Sequence, residues 1–128
     1  MLWWPESFCA RLAGRGRYVI RYDQRETGLT TYAPAGSSYT LADLAEDMTR
    51  VLDGYAIPAT HIVGMSLGGM AAQIAALEQP SRVLSLTAIS SSPVGIDTSH
   101  LPGFSDAYTA HMAEADSVDW SDREQVIA

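Results

Sequence analysis

Two rhythms of apolar residues alternate along most of this chain. Pro5-Glu6-Ser7, followed by Phe8, Leu12 and Ala13, predicts a short helix. A proline suits its first turn, and Gly14 and Gly16 end it. Tyr18-Val19-Ile20-Arg21-Tyr22 is β-branched and aromatic and predicts a strand that stops at Asp23. Gln24 to Ser38 carries Gly, Pro, Ser and Thr and reads as a loop. From Thr40 onward, Leu41, Leu44, Met48, Val51, Leu52 and Tyr55 recur at helical spacing until Pro58 closes the segment. Thr40 can cap that helix, and Asp43 favours its positive end. His61 to Met65 is a short apolar strand, Leu67 to Gln79 an alanine-rich helix halted by Pro80, and Val83 to Ile89 a third strand.

Strands apolar on both sides, alternating with helices, predict an α/β fold: a parallel sheet of about three strands flanked by helices. After Ser90-Ser91-Ser92-Pro93 the pattern turns more polar, with a helix expected from about Ser105 to Ala115. Ser121-Asp122-Arg123-Glu124 has the capping-box form and announces a further helix, yet the sequence stops at Ala128. That abrupt stop reads as truncation.

Composition narrows the function. The 128 residues suffice for one hydrophobic core, and 47% hydrophobic residues is the proportion of a globular chain. A net charge of −7 with no basic run argues against a nucleic-acid partner. Cys9 is the only cysteine, so no intrachain disulfide forms and the cytoplasm is the expected compartment. The start, Met1-Leu2-Trp3-Trp4-Pro5-Glu6, lacks the basic and apolar regions of a signal peptide. No apolar run reaches the roughly 18 residues of a membrane span, so no membrane partner is expected. There is no phosphate-binding Gly loop and no His/carboxylate cluster at metal spacing, so neither cofactor nor metal is expected. The oligomeric state is left open.

The chemistry is concentrated in Gly64-Met65-Ser66-Leu67-Gly68, of the form G-x-S-x-G, between an expected strand and an expected helix. Such a turn lifts a serine hydroxyl out of the sheet on strained backbone. Gly64 and Gly68 are expected to leave room for the neighbouring chain. The following helix aims its positive N-terminus at the serine, where an oxyanion would form.

With that motif in place, the chain resembles α/β-hydrolases, and among them esterases of the aclacinomycin methylesterase type. The matching stretches are Trp4-Pro5-Glu6-Ser7-Phe8, Tyr22-Asp23-Gln24-Arg25-Glu26-Thr27-Gly28, Val51-Leu52-Asp53-Gly54 and Val63-Gly64-Met65-Ser66-Leu67-Gly68-Gly69. The resemblance implies that Ser66 attacks an ester carbonyl to form an acyl-enzyme, with the backbone N–H of Leu67 as one oxyanion donor. It places Trp3 and Trp4 near the mouth of a pocket for a small, hydrophobic ester; packing within the core is the equal alternative. It makes Asp23, Arg25 and Gly28 supports of a loop rather than catalysts. Residues 1–93 would form a partial hydrolase core and 94–128 the beginning of a helical cap.

The resemblance also says what to miss. The family's triad runs Ser, acid, His, with the last two after later strands, and no strand pattern follows Ile89. His61 begins the strand that ends at the motif, and His100 and His111 fall in the cap segment, so surface or packing roles are expected for all three. Asp97, after the third strand, is a minor candidate for the acid. The strand that precedes the first helix in this family would also lie before Met1, between the strands expected at 18–22 and 61–65. The acid and histidine are therefore expected outside this chain, which reads as a fragment. Three functions remain in play: an ester hydrolase, a perhydrolase of the haloperoxidase type on the same triad, and a non-catalytic remnant or binding module. Epoxide hydrolase and dehalogenase chemistry is disfavoured, because it needs Asp where Ser66 stands. Lyase or acyltransferase chemistry stays open, since fold does not fix function.

Overall fold

The structure, a computed structural model, describes residues 4–116, 119 and 122. The helix expected from Ser121 and the side chain of Trp3 lie outside those residues. The chain divides into two compact units, Met1–Val94 and Gly95–Ala128.

The first unit runs α1 (Glu6–Ala13), α2 (Leu41–Gly54), β1 (Thr60–Met65), α3 (Leu67–Glu78), a short 3-10 turn (Pro80–Arg82) and β2 (Val83–Ile89). β1 and β2 pair in parallel, with Ile62 opposite Leu86 and Met65 opposite Ile89. Parallel neighbours need a crossover, and α3 supplies it. The α/β class holds, but with two paired strands rather than three. Tyr18–Tyr22 joins no ladder: β1 and β2 make up the only sheet among the described residues, and neither pairs with this segment to take its backbone hydrogen bonds.

α2 starts as its sequence dictates. The Thr40 hydroxyl accepts the Asp43 N–H at 3.3 Å, and the Asp43 carboxylate accepts the Thr40 N–H at 2.7 Å. These reciprocal bonds satisfy two donors at the helix start. They also hold the Asp43 carboxyl below its ordinary range, the Thr40 hydrogen bonds being the chief cause. The buried stripe is Leu44, Ala45, Met48, Thr49 and Leu52. Tyr55 departs from the expected face: it is exposed and meets Tyr18 edge-on, ring centres 6.2 Å apart.

The core is built on small residues. Ala71, Ala72 and Ala75 of α3 meet Leu44, Ala45 and Met48 of α2, with Ile62 and Leu86 packed from the strands. Methyl side chains let α3 lie close to both strands and to α2. Thr49, the one buried polar side chain among the described residues, donates to the Glu46 carbonyl and accepts from the Gln79 amide. Arg82 ties the ends together, reaching the Pro58 carbonyl at 2.7 Å, the Ile57 carbonyl at 3.1 Å and Asp53 at 2.7 Å. Val63 and Ile89, at alternate strand positions, stay exposed.

The second unit holds α4 (Asp106–Asp116), close to the helix expected from Ser105. The Ser105 hydroxyl accepts the Tyr108 N–H at 3.2 Å and so begins that helix.

Candidate active site

β1 ends at Met65 and α3 begins at Leu67, so the entire change of direction falls on Ser66. Its backbone sits at φ 49°, ψ −121°. That is neither helix, strand nor the left-handed well, and costs a residue with a Cβ on the order of 1–3 kcal/mol. Such strain persists only where the surroundings over-determine the backbone. Here the Ser66 N–H donates to the Ile89 carbonyl at 3.0 Å. The Ser66 carbonyl accepts the N–H groups of Gly69 at 2.9 Å and Met70 at 3.2 Å. It also accepts the Ser91 hydroxyl at 2.9 Å. Ser66 itself is exposed.

The glycines divide their work differently from the sequence expectation. A Cβ on Gly64 would lie 2.5 Å from the Gly68 carbonyl carbon and 2.6 Å from the Gly69 nitrogen, so that position admits no side chain. Gly68 has open space where its Cβ would be. It contributes the backbone that crowds Gly64, and no steric need for glycine is visible at Gly68 itself. The second tight position is Gly69, where a Cβ would fall 2.6 Å from the Ser91 hydroxyl oxygen and 2.7 Å from its Cβ.

Behind the serine, α3 presents its N-terminus. The Leu67 and Gly68 N–H groups, which open its first turn, have no acceptor further back in the helix, and no acidic residue lies in that turn to compete for them. The Leu67 N–H is the first of these donors. The partial positive charge of the helix end therefore falls beside the Ser66 hydroxyl.

The other sequence candidates have neighbours of their own. Trp4 is half-buried and stacks on Phe8, ring centres 5.7 Å apart, while its carbonyl accepts Arg21 at 2.6 Å. His61, at the opposite end of β1 from Ser66, is joined to Ser85 at 2.7 Å. In the second unit, Asp97 accepts the Ser99 N–H at 2.9 Å, which lowers its carboxyl below the usual range. His111 is exposed, with Glu114 3.9 Å away. Arg25 grips Asp47 of α2 with two bonds of 2.7 and 2.8 Å and lies 5.3 Å from the Tyr39 ring centre. Asp23 accepts the Leu29 N–H at 3.2 Å, closing a loop in which Gly28 adopts φ 58°. Among the described residues, no group of three or more His, Cys, Asp or Glu is placed to hold a metal. No described helix is long and apolar enough to cross a membrane. A hollow of about 510 Å³ is lined by Tyr22, Arg25, Tyr39 and Asp47, away from Ser66.

Sequence reasoning missed Gly69, Ser91 and Gln73, which surround the back of the turn. The doubled glycine after Leu67 and the serine run after the third expected strand were the available signals.

The family model described as alpha/beta hydrolase fold matches residues 2–117. Rhodomycin D methylesterase DauP of Streptomyces sp. (strain C5) is 43% identical over 95 residues, covering 73% of this chain and 32% of that protein. Rhodomycin D methylesterase DnrP of Streptomyces peucetius is 42% identical over the same length, with the same coverage. A putative carbamate hydrolase, RutD of Variovorax paradoxus (strain S110), is 40% identical over 87 residues, covering 68% of this chain and 32% of that protein. The chain thus spans about a third of the length of these relatives.

Proposed function

The chain belongs to the α/β-hydrolase fold family, and from that premise we propose that it carries the nucleophile of a serine hydrolase that cleaves carboxylic esters. The observation that carries this reading is Ser66, exposed on strained backbone between β1 and the N-terminus of α3. Ser66 Oγ attacks the ester carbonyl as a base takes its proton. The carbonyl oxygen gathers negative charge and accepts the Leu67 N–H, which the helix end makes a better donor. Collapse of this tetrahedral adduct breaks the ester C–O bond, and the alcohol leaves with the proton. Water then attacks the acyl-Ser66 ester by the same route and releases the acid.

Two relatives named as methylesterases support an ester substrate. In this reading residues 1–93 belong to the hydrolase core and 94–128 to the cap. Trp3 and Trp4 contact a hydrophobic substrate. In this reading the base and acid come from outside these 128 residues, which span about a third of the relatives' length; His61 is engaged with Ser85 at the far end of β1. A serine hydroxyl without such a base is a poor nucleophile near neutral pH.

The test is covalent labelling of the native gene product by a fluorophosphonate, with hydrolysis of p-nitrophenyl butyrate measured beside it. Labelling and turnover that both vanish in Ser66→Ala are expected. A folded native protein that neither labels nor turns over would instead support the non-catalytic binding module.

A further inference from the structure

Two non-glycine residues with positive φ stand next to each other at the C-terminal ends of the strands. Ser66 (φ 49°) follows β1, and Ser90 (φ 46°) follows β2, just beyond the paired Met65 and Ile89. The two turns are bonded to each other. The Ser66 N–H reaches the Ile89 carbonyl, and the Ser91 hydroxyl donates back to the Ser66 carbonyl at 2.9 Å. The Ser91 side chain in turn fills the space where a Cβ on Gly69 would stand. Gln73, one helical turn on, fixes the segment that carries Ser91. Its amide donates to the Ser92 carbonyl at 2.9 Å and to the Gly69 carbonyl at 3.3 Å, and its oxygen accepts the Val94 N–H at 3.2 Å.

The consequence lies in one peptide plane. The Ser66 carbonyl and the Leu67 N–H belong to the same rigid amide and point in opposite directions. Whatever fixes the carbonyl oxygen fixes the direction of that N–H. A donor on the carbonyl also polarises the amide and strengthens the N–H as a hydrogen-bond donor.

We propose that Ser91, held by Gln73, is a positioning residue that aims and polarises the Leu67 N–H toward the oxyanion formed on Ser66. This rests on the reading of Ser66 as nucleophile. Ser91 does not touch substrate; it acts through the 66–67 peptide. The contribution belongs to the charged intermediate rather than to the bound ester, so it appears in kcat and not in KM.

The experiment uses the native gene product with Ser91→Ala, Ser91→Thr and Gln73→Met. For Ser91→Ala, kcat on p-nitrophenyl butyrate and the fluorophosphonate labelling rate should both fall about tenfold, with KM unchanged and the melting temperature close to wild type. Ser91→Thr, which keeps the hydroxyl, should restore most of the loss, and Gln73→Met should give a smaller fall of the same kind. Wild-type rates in Ser91→Ala would overturn the proposal. So would a loss in which kcat and KM both worsen with the melting temperature and the threonine gives no rescue. A second readout does not depend on turnover. Amide hydrogen exchange at Gly69 and Met70, which share the Ser66 carbonyl with Ser91, should quicken severalfold in Ser91→Ala. A wild type that neither labels nor turns over defeats the nucleophile reading alone; unchanged exchange defeats the brace.

Discussion

Replacing Ser66 by glycine should make this protein more stable while removing the side-chain hydroxyl. The backbone there, φ 49° and ψ −121°, is open to glycine and strained for any residue with a Cβ. Relief of that strain contributes about 1–3 kcal/mol. Against it stands the larger conformational entropy that glycine adds to the unfolded chain, about 0.5–1 kcal/mol. The backbone bonds of Ser66 to Ile89, Gly69 and Met70 survive the substitution, because none uses the side chain. The net gain is about 1 kcal/mol, or a few degrees in melting temperature. Ser66→Ala is the proper reference, since it removes the hydroxyl and keeps the Cβ. Urea unfolding of both variants should place Ser66→Gly at the higher midpoint with an unchanged slope. A glycine variant no more stable than the alanine variant would refute the claim that the turn stores strain.

Four further expectations follow from the same turn and from other parts of the molecule. Gly64→Ala drives a methyl group into the Gly68–Gly69 backbone and should lower unfolding stability by about 1–3 kcal/mol or more, read by calorimetry; Gly68→Ala, with open space, should cost much less. Thr40→Ala removes one half of the capping box and should cost about 1 kcal/mol in urea unfolding at neutral pH. Asp43, lowered from 3.8, stabilises the fold above that value and loses its contribution as pH falls through its folded pKa. Asp43→Asn should therefore flatten the acid limb of the stability curve relative to wild type. Burial, reinforced by nearby Asp47, pushes Tyr22 up to about 12 from 10.0. Above pH 10 the unfolded chain releases this proton first, so stability falls between those values by at most about 1.4 kcal/mol per pH unit. Tyr22→Phe should remove that part of the alkaline loss, and identical alkaline profiles would contradict it.

Local chemistry made much of this protein legible in advance. The Thr40–Asp43 box, the stripe through Leu44, Met48 and Leu52, and the Pro80 stop after the alanine-rich helix are rules of spacing and propensity, and the structure obeys them. The motif around Ser66 was legible for the same reason: few arrangements other than a strand-to-helix turn use that pattern in that place. Tyr18–Tyr22 went the other way. Its residues favour a strand, but a strand exists only where a neighbour takes its hydrogen bonds, and propensity carries no information about neighbours. Tyr55 likewise fits the helical face by count, yet falls at the last turn, where it meets Tyr18 in place of the core.

The sequence by itself thus determined the α/β class, the helix starts and stops, and the serine at the turn, because each depends on residues a few positions apart. Only the tertiary structure decided which glycines are sterically required and what holds the turn. Gly64 is confined by the start of α3, and Gly69 by Ser91, 22 positions further along the chain. The Ser66 peptide is bounded by Ile89 and Ser91, brought beside it by the parallel pairing of β1 and β2. Contacts of that kind are set by how the strands and the crossover helix pack, and no short window of sequence contains them.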